Sequence, residues 1–198
     1  MTIDRIFEDY RSWFQETYLL QLAEENEEDI ADLEWSDPFA GLHPLSAEQL
    51  SHTENNTVAH SQAYRDLASR VGVGSFLIAA EEEPVEFFLL SPEEIPQATN
   101  DFLSWLDVEA IQRANSREGL EVSRLVPFLT DPDGNQWALL TNQSPGDDRV
   151  VLFSHEQEQR DDLDLFSHQG TVESYFEKLF ESARKLSSPW YLWTGFED

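Results

Sequence analysis

Gly74-Ser75-Phe76-Leu77-Ile78-Ala79-Ala80-Glu81-Glu82-Glu83-Pro84-Val85-Glu86-Phe87-Phe88-Leu89-Leu90-Ser91-Pro92-Glu93-Glu94-Ile95 contains two apolar runs, an acidic break between them and a helix start. Residues 74–80 and 85–90 are rich in side chains that fit a pleated surface, and Glu81-Glu82-Glu83-Pro84 separates them, so they read as two strands joined by an acidic turn. A hairpin is the simplest topology. In Ser91-Pro92-Glu93-Glu94 the serine can accept from an amide of the first turn, the proline stands where no donor is needed, and Glu94 can reach back. A helix therefore starts here, carries Ile95, Ala98 and Phe102 inward past Pro96, and ends near Trp105, before Asp107 caps a short second helix through Ile111. Strands followed at once by helix define the class as α+β.

Beyond Gly119 the pattern changes to short extended segments at 122–129, 136–142 and 149–154. Asp131-Pro132-Asp133-Gly134 and Ser144-Pro145-Gly146-Asp147 divide them; proline fixes φ and glycine supplies φ > 0, so the three segments read as an antiparallel meander. From Thr171 a last helix places Val172, Tyr175, Phe176, Leu179, Phe180 and Ala183 on one face. The tail after Pro189 carries Trp190, Tyr191, Trp193 and Phe196 and is too apolar to stand free in water, so it is expected to dock on the body.

Upstream, Phe7, Tyr10, Phe14, Tyr18 and Leu22 recur at steps of three and four and make residues 3–25 an amphipathic helix. The acidic run 24–29 leads into a loop with Trp35, Pro38, Gly41 and Pro44. Ser46 with Gln49 forms a capping box, and a helix interrupted near Asn55-Asn56 runs from there to a stop at Gly72. The expected architecture is a mixed, mainly antiparallel sheet flanked by helices, with residues 1–55 as an N-terminal helical addition to the same domain and 56–198 as the body. A chain of 198 residues suits one core of this kind.

Forty acidic side chains face ten arginines and two lysines, a net charge of −28. Such a potential repels nucleic acid and anionic membranes and draws in cationic partners, while serving solubility at the same time. Its placement is uneven: nine acids and no lysine or arginine lie between Val71 and Gln112. No apolar run approaches the roughly 20 residues that span a bilayer, and the first residues have no basic region followed by an apolar block. The absence of cysteine excludes disulfides and thiolate metal sites and suits a reducing compartment, so a soluble, cytoplasmic protein is expected.

Motifs for chemistry are absent. The five histidines, His43, His52, His60, His155 and His168, include no pair at the four-residue spacing of a helical metal site. Residues 131–135 have their glycine fourth, not sixth, so they form a turn and not a calcium loop. Gly72-Val73-Gly74-Ser75 is too short for a phosphate loop and lacks its lysine. No Gly-x-Ser-x-Gly motif occurs, and carboxylates alone do not specify the fixed separation that a glycosidase requires. No catalytic centre, metal site or cofactor is expected.

Three segments stand in a fixed order: Phe87-Phe88-Leu89-Leu90-Ser91-Pro92-Glu93-Glu94-Ile95; Leu125-Val126-Pro127-Phe128 with Asp131, Gly134, Asn135, Trp137 and Leu139-Leu140; and Val150-Val151-Leu152-Phe153-Ser154-His155 followed by Tyr175-Phe176-Glu177-Lys178-Leu179. In that order they resemble the SUKH superfamily of cell-wall synthesis regulators and bacterial immunity proteins. The resemblance covers roughly residues 73–185. It implies a mixed sheet flanked by helices, no catalysis, and recognition of a protein partner beside the sheet, in bacterial members often a toxin such as a nuclease. A regulatory or scaffold protein of the same fold is the alternative reading, and an acidic hydrolase is the third. The acids assigned to recognition are Glu81, Glu82, Glu83 and Glu86 of the hairpin and Asp131, Asp133, Asp147 and Asp148 of the turns, with Trp137 assigned to the core.

Overall fold

The computed structural model describes residues 1–26, 35–51, 61–81, 83–105, 124–132, 134–141, 148–153 and 167–185. The hairpin read from residues 74–90 is present as β2 (Val73–Ile78) and β3 (Val85–Leu89). Phe76 stands opposite Phe87, Leu77 opposite Glu86, and Ser75 opposite Phe88. Because side chains alternate along a strand, the two phenylalanines share one face while Leu77, Glu86, Ser75 and Phe88 share the other.

The hairpin is the start of a seven-stranded sheet. β1 (Leu42–His43) pairs with the outer side of β2; β4 (Leu125–Thr130), β5 (Gln136–Leu140), β6 (Arg149–Phe153) and β7 (Ser167–Gly170) follow β3 in chain order. The expected α+β class is present, and each pairing along the sheet is antiparallel. The meander follows from its turns: Gly134, at φ +85°, closes the β4–β5 connection with its amide donating to the Asp131 carbonyl at 3.1 Å.

One face of the sheet is covered by helices. α1 (Ile3–Trp13) runs through a π-helical turn, Phe14–Tyr18, into α2 (Leu19–Asn26), and α1 packs against α6 (Val172–Arg184), which follows β7. The Phe7 ring lies 4.9 Å from Phe39 and from Phe176, and Tyr10 stacks on Phe180 at 4.1 Å. Phe76 reaches Phe176 at 6.3 Å, Phe87 reaches Trp137 at 5.8 Å, and Trp137 reaches Tyr175 at 6.1 Å. These rings form one aromatic seam, and each buried ring removes about 150–250 Å² from water. Within residues 1–26 and 35–51, Phe7, Tyr10, Phe14 and Phe39 contribute to the central core, and β1 pairs at the sheet edge.

The π turn follows from the spacing of the buried residues. Phe7, Tyr10, Phe14, Tyr18 and Leu22 are all buried, and the last three steps are of four residues. In a straight α-helix each four-residue step overshoots a full turn by roughly 40°. The wider turn, in which the Leu19 amide donates to the Phe14 carbonyl, absorbs that drift and keeps Tyr18 and Leu22 over the core.

The shorter helices start as their caps dictate. In α3 (Ala47–Ser51) the Ser46 amide donates to Gln49 Oε1 at 2.9 Å and the Gln49 amide donates to Ser46 Oγ at 3.2 Å. α4 (Gln62–Arg70) begins at Ser61, whose Oγ accepts from the Tyr64 amide at 3.1 Å. α5 (Ile95–Trp105), packed on β4, follows a turn in which the Ser91 amide and hydroxyl both donate to Glu94 Oε2 at 2.7 Å. The expected interruption near residues 55–56, the helix from Asp107 and the tail from Pro189 lie outside the described residues. No helix among the described residues is long and apolar enough to cross a membrane.

The other face of the sheet is not uniform. Across β4–β6, Pro127, Ala138 and Val151 are buried on it, whereas on β2–β3 Glu86 and Phe88 are exposed. That uncovered end carries the candidate site.

Candidate functional site

Residues 35–41 and the β2–β3 turn enclose a groove of about 470 Å³ on the open face of the hairpin. Ser75 and Leu77 contribute to its floor, Trp35 and Asp37 to one wall, and Glu83 and Glu86 to the other. Phe88, the cross-strand neighbour of Ser75 on this face, extends the apolar surface and is 37% exposed. The edge of β2 beside the groove is closed. Its Leu77 amide donates to the Pro38 carbonyl at 2.8 Å, and β1 pairs with Val73 and Gly74. A partner strand cannot add there, so a ligand at this place would meet side chains on the face.

Both walls are held by the N-terminal helix. Gln15 Nε2, in the π turn, donates to the Ser36 carbonyl at 2.8 Å. Tyr18, at the end of the same turn, donates its hydroxyl to the Ala80 carbonyl at 3.0 Å, immediately before the acidic turn. Two helical turns earlier the Tyr10 hydroxyl accepts from the Ala79 amide at 2.8 Å, and Arg11 Nε donates to Asp37 Oδ1 at 3.1 Å. Burial pushes the Tyr18 hydroxyl up to about 12, with the charges of Glu25 and Glu83 adding to the effect. Burial likewise raises Tyr10 well above the ordinary phenol range. Both groups stay neutral at physiological pH and keep these hydrogen bonds. The π turn, a feature often found near functional surfaces, here fixes the spacing of the groove walls.

The electrostatics of the two walls differ. Asp37 is committed: it accepts from Arg11 and from the Phe39 amide at 2.9 Å. Glu81, Glu83 and Glu86 are exposed, and none has a basic partner among the described residues. Trp35 is only half-buried and lines the groove beside them. An aromatic ring and carboxylates without a basic partner among the described residues, in one lining, suit the binding of a cation. Among the described residues no group of three or more His, Asp and Glu is placed to hold a metal ion.

The acids assigned to recognition from the sequence therefore separate. Glu83 and Glu86 meet at the groove, with Glu81 exposed at the start of the same turn. Asp131 and Asp148 are buried, at 6% and 5% exposure, which takes them off the surface a partner would meet. Asp131 Oδ1 accepts from the Asn135 amide at 3.0 Å and from Asn135 Nδ2 at 3.2 Å, which locks the β4–β5 turn. Asp148 Oδ2 accepts from Ser61 Oγ at 2.9 Å and from the Ala63 amide at 3.3 Å, placing a negative charge at the N-terminus of α4. Glu82, Asp133 and Asp147 lie outside the described residues. Trp137 is fully buried, as expected of a core residue. Trp35 was not foreseen as a site residue; its signal is a large aromatic in a loop of proline and glycine, where a core role has no periodicity to support it.

No protein-family model, curated protein or solved structure matches the chain.

Proposed function

We propose that the protein is a non-catalytic binding module that works in the cytoplasm and captures a basic protein partner on the open face of its β2–β3 hairpin. The observation that carries this reading is the groove lined by Glu83 and Glu86, without basic partners among the described residues, and by half-buried Trp35, with exposed Phe88 on the same sheet face. Aromatic anchors bounded by charge are the usual make-up of a binding hot spot and its rim. The net charge of −28 supports the same reading, because a potential of that sign accelerates encounter with a cationic surface.

The resemblance to SUKH immunity proteins narrows the partner to a toxin such as a nuclease. An enzyme that acts on nucleic acid presents a basic surface to phosphate, and an acidic protein covering that surface blocks the substrate by occupying its place. The test is a hydrogen-exchange footprint of the complex formed with a basic partner recovered from the native cells. Protection concentrated at residues 35–41 and 83–88 is expected, with affinity that falls as salt is raised. Protection confined to other surfaces, with salt-independent affinity, would overturn the proposal.

A further inference from the structure

We infer that the groove receives an arginine side chain of the partner, with its guanidinium plane stacked on Trp35 and its N–H fork turned to Glu83 and Glu86. This inference rests on the reading of the groove as a partner surface and specifies the chemistry that enters it.

The residues around the groove call for a cation from outside. Glu83 and Glu86 have no basic partner among the described residues, and Arg11, the basic side chain beside the Trp35 wall, is committed to Asp37 at 3.1 Å and to Glu8 at 2.9 Å. Arg11 also lies over the Phe39 ring, 5.3 Å from its centre, so next to Asp37, outside the groove lining, the fold already holds one stacked guanidinium bound by carboxylates. The groove offers a second place with the same constituents. Its volume of about 470 Å³ is within the range of about 300–1,000 Å³ common to ligand clefts, and Leu77 on its floor can cover a methylene stem.

Arginine fits this setting better than lysine. A guanidinium is planar, stacks on an aromatic face, is less strongly hydrated than an ammonium, and can engage two carboxylates through separate N–H groups. An ammonium is a compact, strongly hydrated charge and gains less from the tryptophan plane. The closed edge of β2 adds a constraint of direction: the side chain arrives over the sheet face, not from a strand added to the edge.

The test uses the full chain, labelled with ¹⁵N, titrated with N-acetyl-arginine methylamide and with N-acetyl-lysine methylamide at physiological ionic strength. The Trp35 indole N–H and the amides of Glu83 and Glu86 should shift with both probes, the arginine probe binding about two- to fivefold more tightly. Glu83→Gln with Glu86→Gln should weaken the arginine probe by about three- to tenfold, while Glu173→Gln with Glu181→Gln, an equal loss of charge on the exposed side of α6, should leave it unchanged. Trp35→Leu keeps apolar bulk against the core and should abolish the preference for arginine; if it fails to fold, the double glutamine variant still decides. Equal affinity for the two probes would overturn the arginine assignment while leaving the groove a cation surface. Equal weakening by the two glutamine pairs would overturn both this inference and the reading beneath it.

Discussion

The β2–β3 hairpin and the β4–β6 meander belong to one sheet and differ in how many faces they bury. In the meander, Val126, Phe128, Trp137, Leu139, Val150 and Leu152 enter the core, and Pro127, Ala138 and Val151 are buried on the opposite face as well. In the hairpin, Phe76, Ile78, Phe87 and Leu89 are buried, while Glu86 and Phe88 between them are exposed. A strand buried on both faces has no side chains left for recognition. The hairpin exposes Glu86 and Phe88 on one face, and the groove, whose Glu83 and Glu86 have no basic partner among the described residues, lies there. The core thus takes one set of alternate residues of these two strands, and the proposed recognition surface takes the other.

The sharpest way to break this comparison is to truncate neighbours on β3. Phe87→Ala should destabilise the fold by about 3–5 kcal/mol, as expected of a large core ring, and Phe88→Ala by no more than about 1 kcal/mol. Urea unfolding measures both, and similar losses would show that the open face is not open. Gly74→Ala comes next. Gly74 has φ +119°, and a Cβ there would collide with the Gly41 carbonyl, in the segment that closes the edge and walls the groove. A loss of about 2–3 kcal/mol is expected from strain and displacement together, with the groove amides shifting in NMR spectra.

Alkali tests the attachment of the walls. The Tyr18 hydroxyl has its folded pKa raised from 10.0 to about 12, so between these values the folded state binds more protons than the unfolded state. The stabilisation is complete below pH 10 and is lost as pH rises towards 12. Tyr18→Phe should flatten the stability profile over that window. A smaller effect separates two other buried tyrosines. Tyr10→Phe leaves the buried Ala79 amide without its acceptor and should cost about 1–2 kcal/mol. The Tyr175 hydroxyl makes no hydrogen bond among the described residues, so Tyr175→Phe should change stability by less than about 0.5 kcal/mol or raise it.

Much of this division was legible in the sequence. The hairpin and the meander are bounded by turns whose proline, glycine and acidic residues have few alternatives, and α6 repeats its apolar face without interruption. β7 was missed because Ser167-His168-Gln169-Gly170 contains no strand-forming side chain; it is a strand because β6 offers an edge to pair with. The burial of Asp131 and Asp148 is not legible in the sequence for a related reason. An acid in a turn has the same sequence signal whether its carboxylate faces solvent or binds buried amides, and only packing decides. The pairing of Trp35 with Glu83 and Glu86 is likewise a product of tertiary approach, since Pro38 must cross the edge of β2 to bring the walls together.

The smallest change in stability should accompany the largest change in function. Glu83→Gln with Glu86→Gln, at two exposed positions, should alter unfolding by less than about 0.5 kcal/mol. The decisive measurement is the dissociation constant of the proposed basic partner for this variant beside Glu173→Gln with Glu181→Gln, which removes the same charge from another surface. The groove as recognition surface requires a loss of about tenfold or more for the first pair and little change for the second. Equal losses for the two pairs would mean that net charge alone attracts the partner, and would contradict the assignment of recognition to the open face of β2–β3.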